Sequence, residues 1–179
     1  MKLLRTIRLD ASDSFVFETA AEPCEWAVSG AFAFAHIDPA SLHGKARAAF
    51  RAGFLGVSSL GRSTLVQIVE ATELDRRSVV DGLAAQLVAH FGAPNLASAR
   101  EAAEEETSFA ASLCDHAPGV LVAVTRRHED GAIRELFRTL HPRGGGDHAS
   151  ALAFLEVVGD EDLPIEHLDL ALLGKGAGR

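Results

Sequence analysis

The chain has 179 residues, 47% of them hydrophobic and 23% charged, an ordinary globular composition with length for one domain and a real core. Its net charge of −8 and lack of any long basic run argue against a general nucleic-acid binder. No apolar stretch of about 18 residues is present, and MKLLRTIRLD is too charged for a secretory leader, so no membrane span and a cytoplasmic address are expected.

Residues 2–9 alternate as a strand does, with Leu3, Arg5, Ile7 and Leu9 on one side. Ser12-Asp13-Ser14 reads as a turn and Phe15–Thr19 as a second short strand, broken at Ala21-Glu22-Pro23. Trp26–Ala35 puts Trp26, Val28, Phe32 and Phe34 on one face and only small residues on the other, a face open to close approach by a helix or a ligand. Asp38-Pro39 predicts a helix start, with Asp38 as cap, and a helix running to about Ala52. Phe54–Leu60 is ambiguous, and the β-branched run Ser63–Ala71 reads as a largely buried strand.

Thr72 and Asp75 form a capping-box pattern ahead of the stripe Val80, Leu83, Ala84, Leu87 and Phe91, which Gly92 and Pro94 end. Asn95 can cap a second helix directly, so the two form an αα-hairpin. Val120–Arg127 and Ala132–Leu140 are strands around Glu129-Asp130-Gly131. The glycine-rich loop HPRGGGDH, a strand at Ala151–Val158 and a helical turn near Ile165–Leu173 complete the expected elements. The sum is a single α+β domain over residues 1–170 with a frayed tail at 171–179. It has a mainly antiparallel sheet of six or seven strands, the central αα-hairpin and one further helix.

Glu106 stands out in the second helix, Asn95–His116. At roughly 100° per residue it falls in a stripe with Ala99, Ala102, Ala103, Phe109, Ala110 and Leu113, while Glu104 and Glu105 point to the polar side. A carboxylate there must find a partner, keep its head in solvent, or shift its pKa. Three readings stay open: a buried stem with a solvated head, a structural ion pair with Arg126, Arg134 or Arg138, or a poised acid or base lining a ligand pocket. No second carboxylate shares the stripe, which gives no support for a paired acid–base mechanism.

A hairpin with residue 127 opposite 132 brings Pro118 opposite His141. Cys114, Asp115 and His116 would then share one end of the sheet with His141, Asp147 and His148, types that ligate zinc or iron. His128 would lie at the far end, roughly 27 Å away at about 3.4 Å per residue. The spacings match no metal motif, so no metal or cofactor is assigned. Gly144-Gly145-Gly146 lacks the following Lys-Ser/Thr of a phosphate loop. Gly53, Gly56 and Gly61 follow a helix instead of opening one, and Ser58, Ser59 and Ser63 form no nucleophile elbow. Cys24 and Cys114 are too far apart for a redox pair motif, and Glu22 and Glu25 beside Cys24 discourage a thiolate.

MKLLRTIRLDASDSFVFETAAEPCEWAVSGAFAF, FRAGFLG with STLVQIVEAT, and EEETSFAASLCDH with HEDGAIRELFRTL resemble a family of small bacterial proteins known only as a domain of unknown function. The resemblance covers most of the chain and implies no activity and no catalytic residue. The leading expectation is a non-catalytic accessory or interaction domain with a protein partner or a second copy of itself. The alternatives are a small-molecule binding domain with its pocket between helices and sheet, and a metal-dependent enzyme using His116, His141 and His148. The ligand-binding candidates are Glu106, Arg134, Arg138, His116, His141 and His148.

Overall fold

The computed structural model describes residues 1–141. Its first strand, β1 (Lys2–Thr6), becomes the centre of the sheet. β1 pairs on one side with β2 (Trp26–Val28) and on the other with β5 (Leu65–Glu70), with Leu4 opposite both Ala27 and Ile68. β3 (Phe54–Gly56) and β4 (Arg62–Ser63) extend one edge, and the hairpin of β6 (Leu121–Glu129) and β7 (Ala132–Leu140) extends the other. The order is β4-β3-β2-β1-β5-β6-β7, every neighbour antiparallel.

Two helices form the expected αα-hairpin, α3 (Glu73–His90) and α4 (Leu96–Ser112). Thr72 and Asp75 make the reciprocal capping box, and the Asn95 side chain accepts from the Ser98 amide at 2.9 Å. The buried face of α3 (Val79, Val80, Leu83, Ala84 and Leu87) meets a face of α4 made mostly of alanines, Ala99, Ala103 and Ala110. Small side chains let the two backbones approach, and Arg76–Glu104 and Arg100–Asp81 ion pairs bridge the helices at the surface. Such exposed pairs contribute at most about 1 kcal/mol. Burial of Leu4, Ile68, Val66 and Leu83 contributes about 1.5–3 kcal/mol each. None of the described helices is long and apolar enough to cross a membrane.

Several elements differ from their sequence signatures. Phe15–Thr19 is no strand: a short helix, α1 (Ser12–Val16), takes in its first two residues together with the expected turn at Ser12-Asp13-Ser14, and bends follow to Thr19. Its Asp13 carboxylate accepts from the Thr64 amide and hydroxyl, a tertiary anchor that local alternation cannot reveal. Phe15, read as a strand residue, is 77% exposed. The strand from Trp26 stops at Val28, because Gly30 takes the left-handed φ of +72° and leads into a 3-10 turn, Ala31–Phe34. Asp38 does cap, accepting from the Ala40 amide at 2.9 Å, but it caps only a 3-10 turn, Pro39–Ser41. The helix proper, α2, spans Gly44–Ala52.

The hairpin register is also shifted by two residues from the expected one: Glu129 lies opposite Ala132 and Arg127 opposite Arg134. Asp130 and Gly131 both have positive φ, 51° and 77°, the two-residue turn whose twist matches that of the strands. The glycine-rich loop with Asp147 and His148, the strand expected at Ala151–Val158, the turn near Ile165–Leu173 and the tail lie outside the described residues.

Candidate functional site

Alternation along β6 puts Val122, Val124, Arg126 and His128 on one face. The first two are core residues, so the third carries a guanidinium into the interior, where Arg126 is 0% exposed. Its cross-strand neighbour on β7 is Glu135. Arg126 Nε donates to Glu135 Oε1 at 2.7 Å, and the Ser29 hydroxyl donates to the same oxygen. Arg126 Nη2 donates to Ser29 O at 2.5 Å. Its Nη1 donates to Phe50 O at 3.1 Å and Gly53 O at 2.9 Å, so a cation holds the last carbonyls of α2.

Arg62, on the edge strand β4, reinforces this arrangement. Its Nη1 donates to Gly30 O and Gly53 O, each at 3.3 Å, and its guanidinium lies 4.7 Å from the centre of the Phe34 ring. Burial, then the neighbouring Arg126 charge, push the Arg62 pKa down to about 9, which leaves it charged at neutral pH. Burial lowers that of Arg126 too, against the opposing pull of Glu135.

Glu106 closes the cluster from α4. Its Oε1 accepts from the Gly30 amide at 2.8 Å, so Gly30 is gripped at both ends: amide to Glu106, carbonyl to Arg62. Glu106 has no ion-pair partner within 4.0 Å among the described residues. Arg62 and Arg126 are near enough to favour its charge, but each is committed to carbonyls or to Glu135. Burial dominates and raises the Glu106 pKa, the Gly30 hydrogen bond opposes it, and the Glu135 charge adds to the rise. Two guanidiniums and two carboxylates thus sit together, and removing one member of such a set leaves the rest uncompensated.

The buried stripe of α4 runs through Ala99, Ala103, Thr107 and Ala110, so Glu106 lies on its flank instead of at its centre. On that flank a recess of about 340 Å³ opens between Phe32, Leu87, Glu106 and Phe109, with Ala102 and Glu105 exposed at its rim. Edge-on aromatic contacts brace its walls, Phe32 against Phe91 at 5.2 Å and Phe109 against Phe137 at 5.7 Å. The second Glu106 oxygen, Oε2, has no hydrogen bond among the described residues.

This cluster corrects the ion-pair expectation. Of Arg126, Arg134 and Arg138, only Arg126 is near Glu106. Arg134 and Arg138 are exposed on the opposite face of β7, where Arg134 lies 4.0 Å from Glu129. Ser29, Gly30, Arg62 and Glu135 were not among the candidates. The Asp-Gly turn, read as a two-residue loop, would have aligned Arg126 with Glu135. No local pattern marks Arg62.

The family described as "Family of unknown function (DUF6505)" matches residues 1–155. The chain belongs to that family. No curated protein and no solved structure matches it. The span matched by DUF6505 contains every residue of the Glu106 cluster, and membership assigns none of them a role.

At the other end of this DUF6505 sheet, His116 and His141 do come together, with ring centroids 5.8 Å apart and the rings edge to face. Lys2 Nζ donates to His116 O at 2.6 Å. Cys114 does not join them: it is buried, donates to Ala110 O at 3.4 Å, and burial pushes its thiol up to about 11. Among the described residues no group of three or more His, Cys, Asp and Glu side chains is placed to hold a metal. His148 lies outside them. His128, as expected, stays away from this end and stacks on Phe50, centroids 4.8 Å apart.

Proposed function

We infer that this chain is a binding domain whose ligand sits in the recess beside Glu106. The favoured ligand is a small, mainly apolar molecule carrying an amine. The observation that carries the reading is the Glu106 carboxyl itself, held by the Gly30 amide through one oxygen while the other has no hydrogen bond among the described residues. Phe32, Phe109 and Leu87 offer apolar surface of the kind that lines small-molecule sites. An ammonium group would gain a carboxylate acceptor and aromatic faces together. Arg62 and Arg126 do not compete for that oxygen, since their donors go to carbonyls and Glu135.

A role in docking a protein partner or a second copy of the chain has narrower support. Its large exposed apolar side chains include Phe15, Leu74 and Leu96, which sit on α1, α3 and α4 respectively. Leu74 and Leu96 lie in the first turns of two antiparallel helices, at opposite ends of the hairpin.

The test is a titration of isotope-labelled protein with benzylamine, followed by NMR. The Gly30 and Glu106 amides are expected to shift saturably in the wild type and much less in Glu106→Gln. Equal shifts in both proteins, or none at either amide, would rule out the recess as an amine site.

A further inference from the structure

The same buried Arg126 backs a second recess, which shares no lining residue with the one beside Glu106. It measures about 510 Å³ and lies between α2 and β6. Arg47 and Arg51 stand one helical turn apart on α2, so their side chains lie on one face. His128 comes from the same face of β6 as Arg126, Arg127 borders the space from the position between them, and no carboxylate is among the described residues that line it. Arg47, Arg51 and Arg127 are exposed, and none has an ion-pair partner within 4.0 Å among the described residues.

Like charges one turn apart repel and weaken a helix. In a chain of net charge −8, the two unneutralised guanidiniums of Arg47 and Arg51 at one concavity, with the buried Arg126 behind it, form a local basic field. His128 gives a second observation: its Nε2 is buried and has no hydrogen-bond partner among the described residues, while stacking on Phe50 holds the ring in place. An orphaned buried polar atom is costly, and an acceptor in the recess would relieve it.

We propose that the recess between α2 and β6 binds a small phosphate-bearing anion. A phosphate offers three terminal oxygens to guanidinium forks that donate in pairs, a better match than a single carboxylate. The volume suits a phosphate with a modest organic body, for which Pro39 and Leu42 supply an apolar wall. An extended polyanion is disfavoured, because the basic groups surround a concavity instead of forming a stripe and the rest of the chain is acidic. The proposal does not depend on the reading of the Glu106 recess.

The experiment is calorimetric titration with inorganic pyrophosphate at low and moderate salt, using wild type, Arg47→Gln/Arg51→Gln and, as a control, Arg77→Gln, an exposed arginine on α3 that lines neither recess. Arg47 and Arg51 are exposed, so the double variant is expected to fold, as circular dichroism would check. Saturable binding by the wild type, at least about tenfold weaker in the double variant and unchanged in Arg77→Gln, supports the site. His128→Phe, which keeps a ring against Phe50, should also weaken binding. The proposal is overturned if millimolar pyrophosphate gives no saturable heat, if the double variant binds equally well, or if a short single-stranded oligonucleotide binds more tightly than pyrophosphate.

Discussion

The Gly30 amide donates to Glu106 Oε1 at 2.8 Å, joining residues 76 apart in sequence. This bond ties the turn after β2 to the face of α4, and it puts a carboxyl at the wall of an apolar recess. The energetic consequence follows from burial, which raises the Glu106 pKa above its ordinary 4.5.

Stability should therefore depend on pH through Glu106. With its pKa raised in the folded state, the folded protein holds the proton over a window in which the unfolded chain has released it. The contribution is complete below about 4.5 and is lost as pH rises through the folded value. Glu106→Gln still accepts from Gly30 but has no proton to lose. Its stability relative to wild type, measured by urea denaturation, should rise with pH above 4.5. Glu105→Gln, on an exposed side chain, should show no such trend; identical trends for the two variants would contradict the assignment.

Gly30→Ala should destabilise strongly. The backbone there has φ of +72°, and an added Cβ would lie 2.4 Å from Leu55 Cβ. The left-handed backbone costs roughly 1–2 kcal/mol, and the overlap roughly another 1–3 kcal/mol. Thermal melting checks this, and a variant as stable as wild type would show that the turn is not as described.

Arg126→Met leaves Glu135 without its buried partner and frees the carbonyls of Ser29, Phe50 and Gly53. Breaking a buried pair from one side costs about 3–5 kcal/mol. Combining it with Glu135→Leu should recover part of that loss, since no charge is then stranded. A double-mutant cycle measures the coupling, and simple additivity would mean that the two side chains do not interact.

Much of this fold was legible in the sequence, and the reasons differ by element. Thr72, Asp75 and Asn95 announce their helices because capping is local chemistry. The β6–β7 hairpin was visible in its Asp-Gly turn, though taking that turn as a longer loop shifted the register by two and hid the Arg126–Glu135 pair. α1 was missed because its Asp13 is anchored by Thr64, distant in sequence. Glu106 was visible as an anomaly on a helical wheel, but its partner was a backbone amide, and amides carry no sequence signal. Arg62 joins the cluster only through the position of an edge strand.

The two thiols should differ sharply. Cys24 is exposed, while Cys114 is buried with its pKa pushed up to about 11. A disulfide reagent at pH 8 should modify one thiol per native chain, and Cys24→Ser should abolish the reaction. Two fast equivalents in the native protein would show that Cys114 is accessible.

The most direct measurement is a carboxyl ¹³C NMR titration of Glu106, assigned with the Glu106→Gln variant. A midpoint above 4.5 is expected in the free protein, with the Gly30 amide proton titrating in step. Benzylamine bound against the carboxylate should move that midpoint down. A midpoint at or below 4.5, with the Gly30 amide indifferent to it, would contradict the buried, poised carboxyl on which the binding site rests.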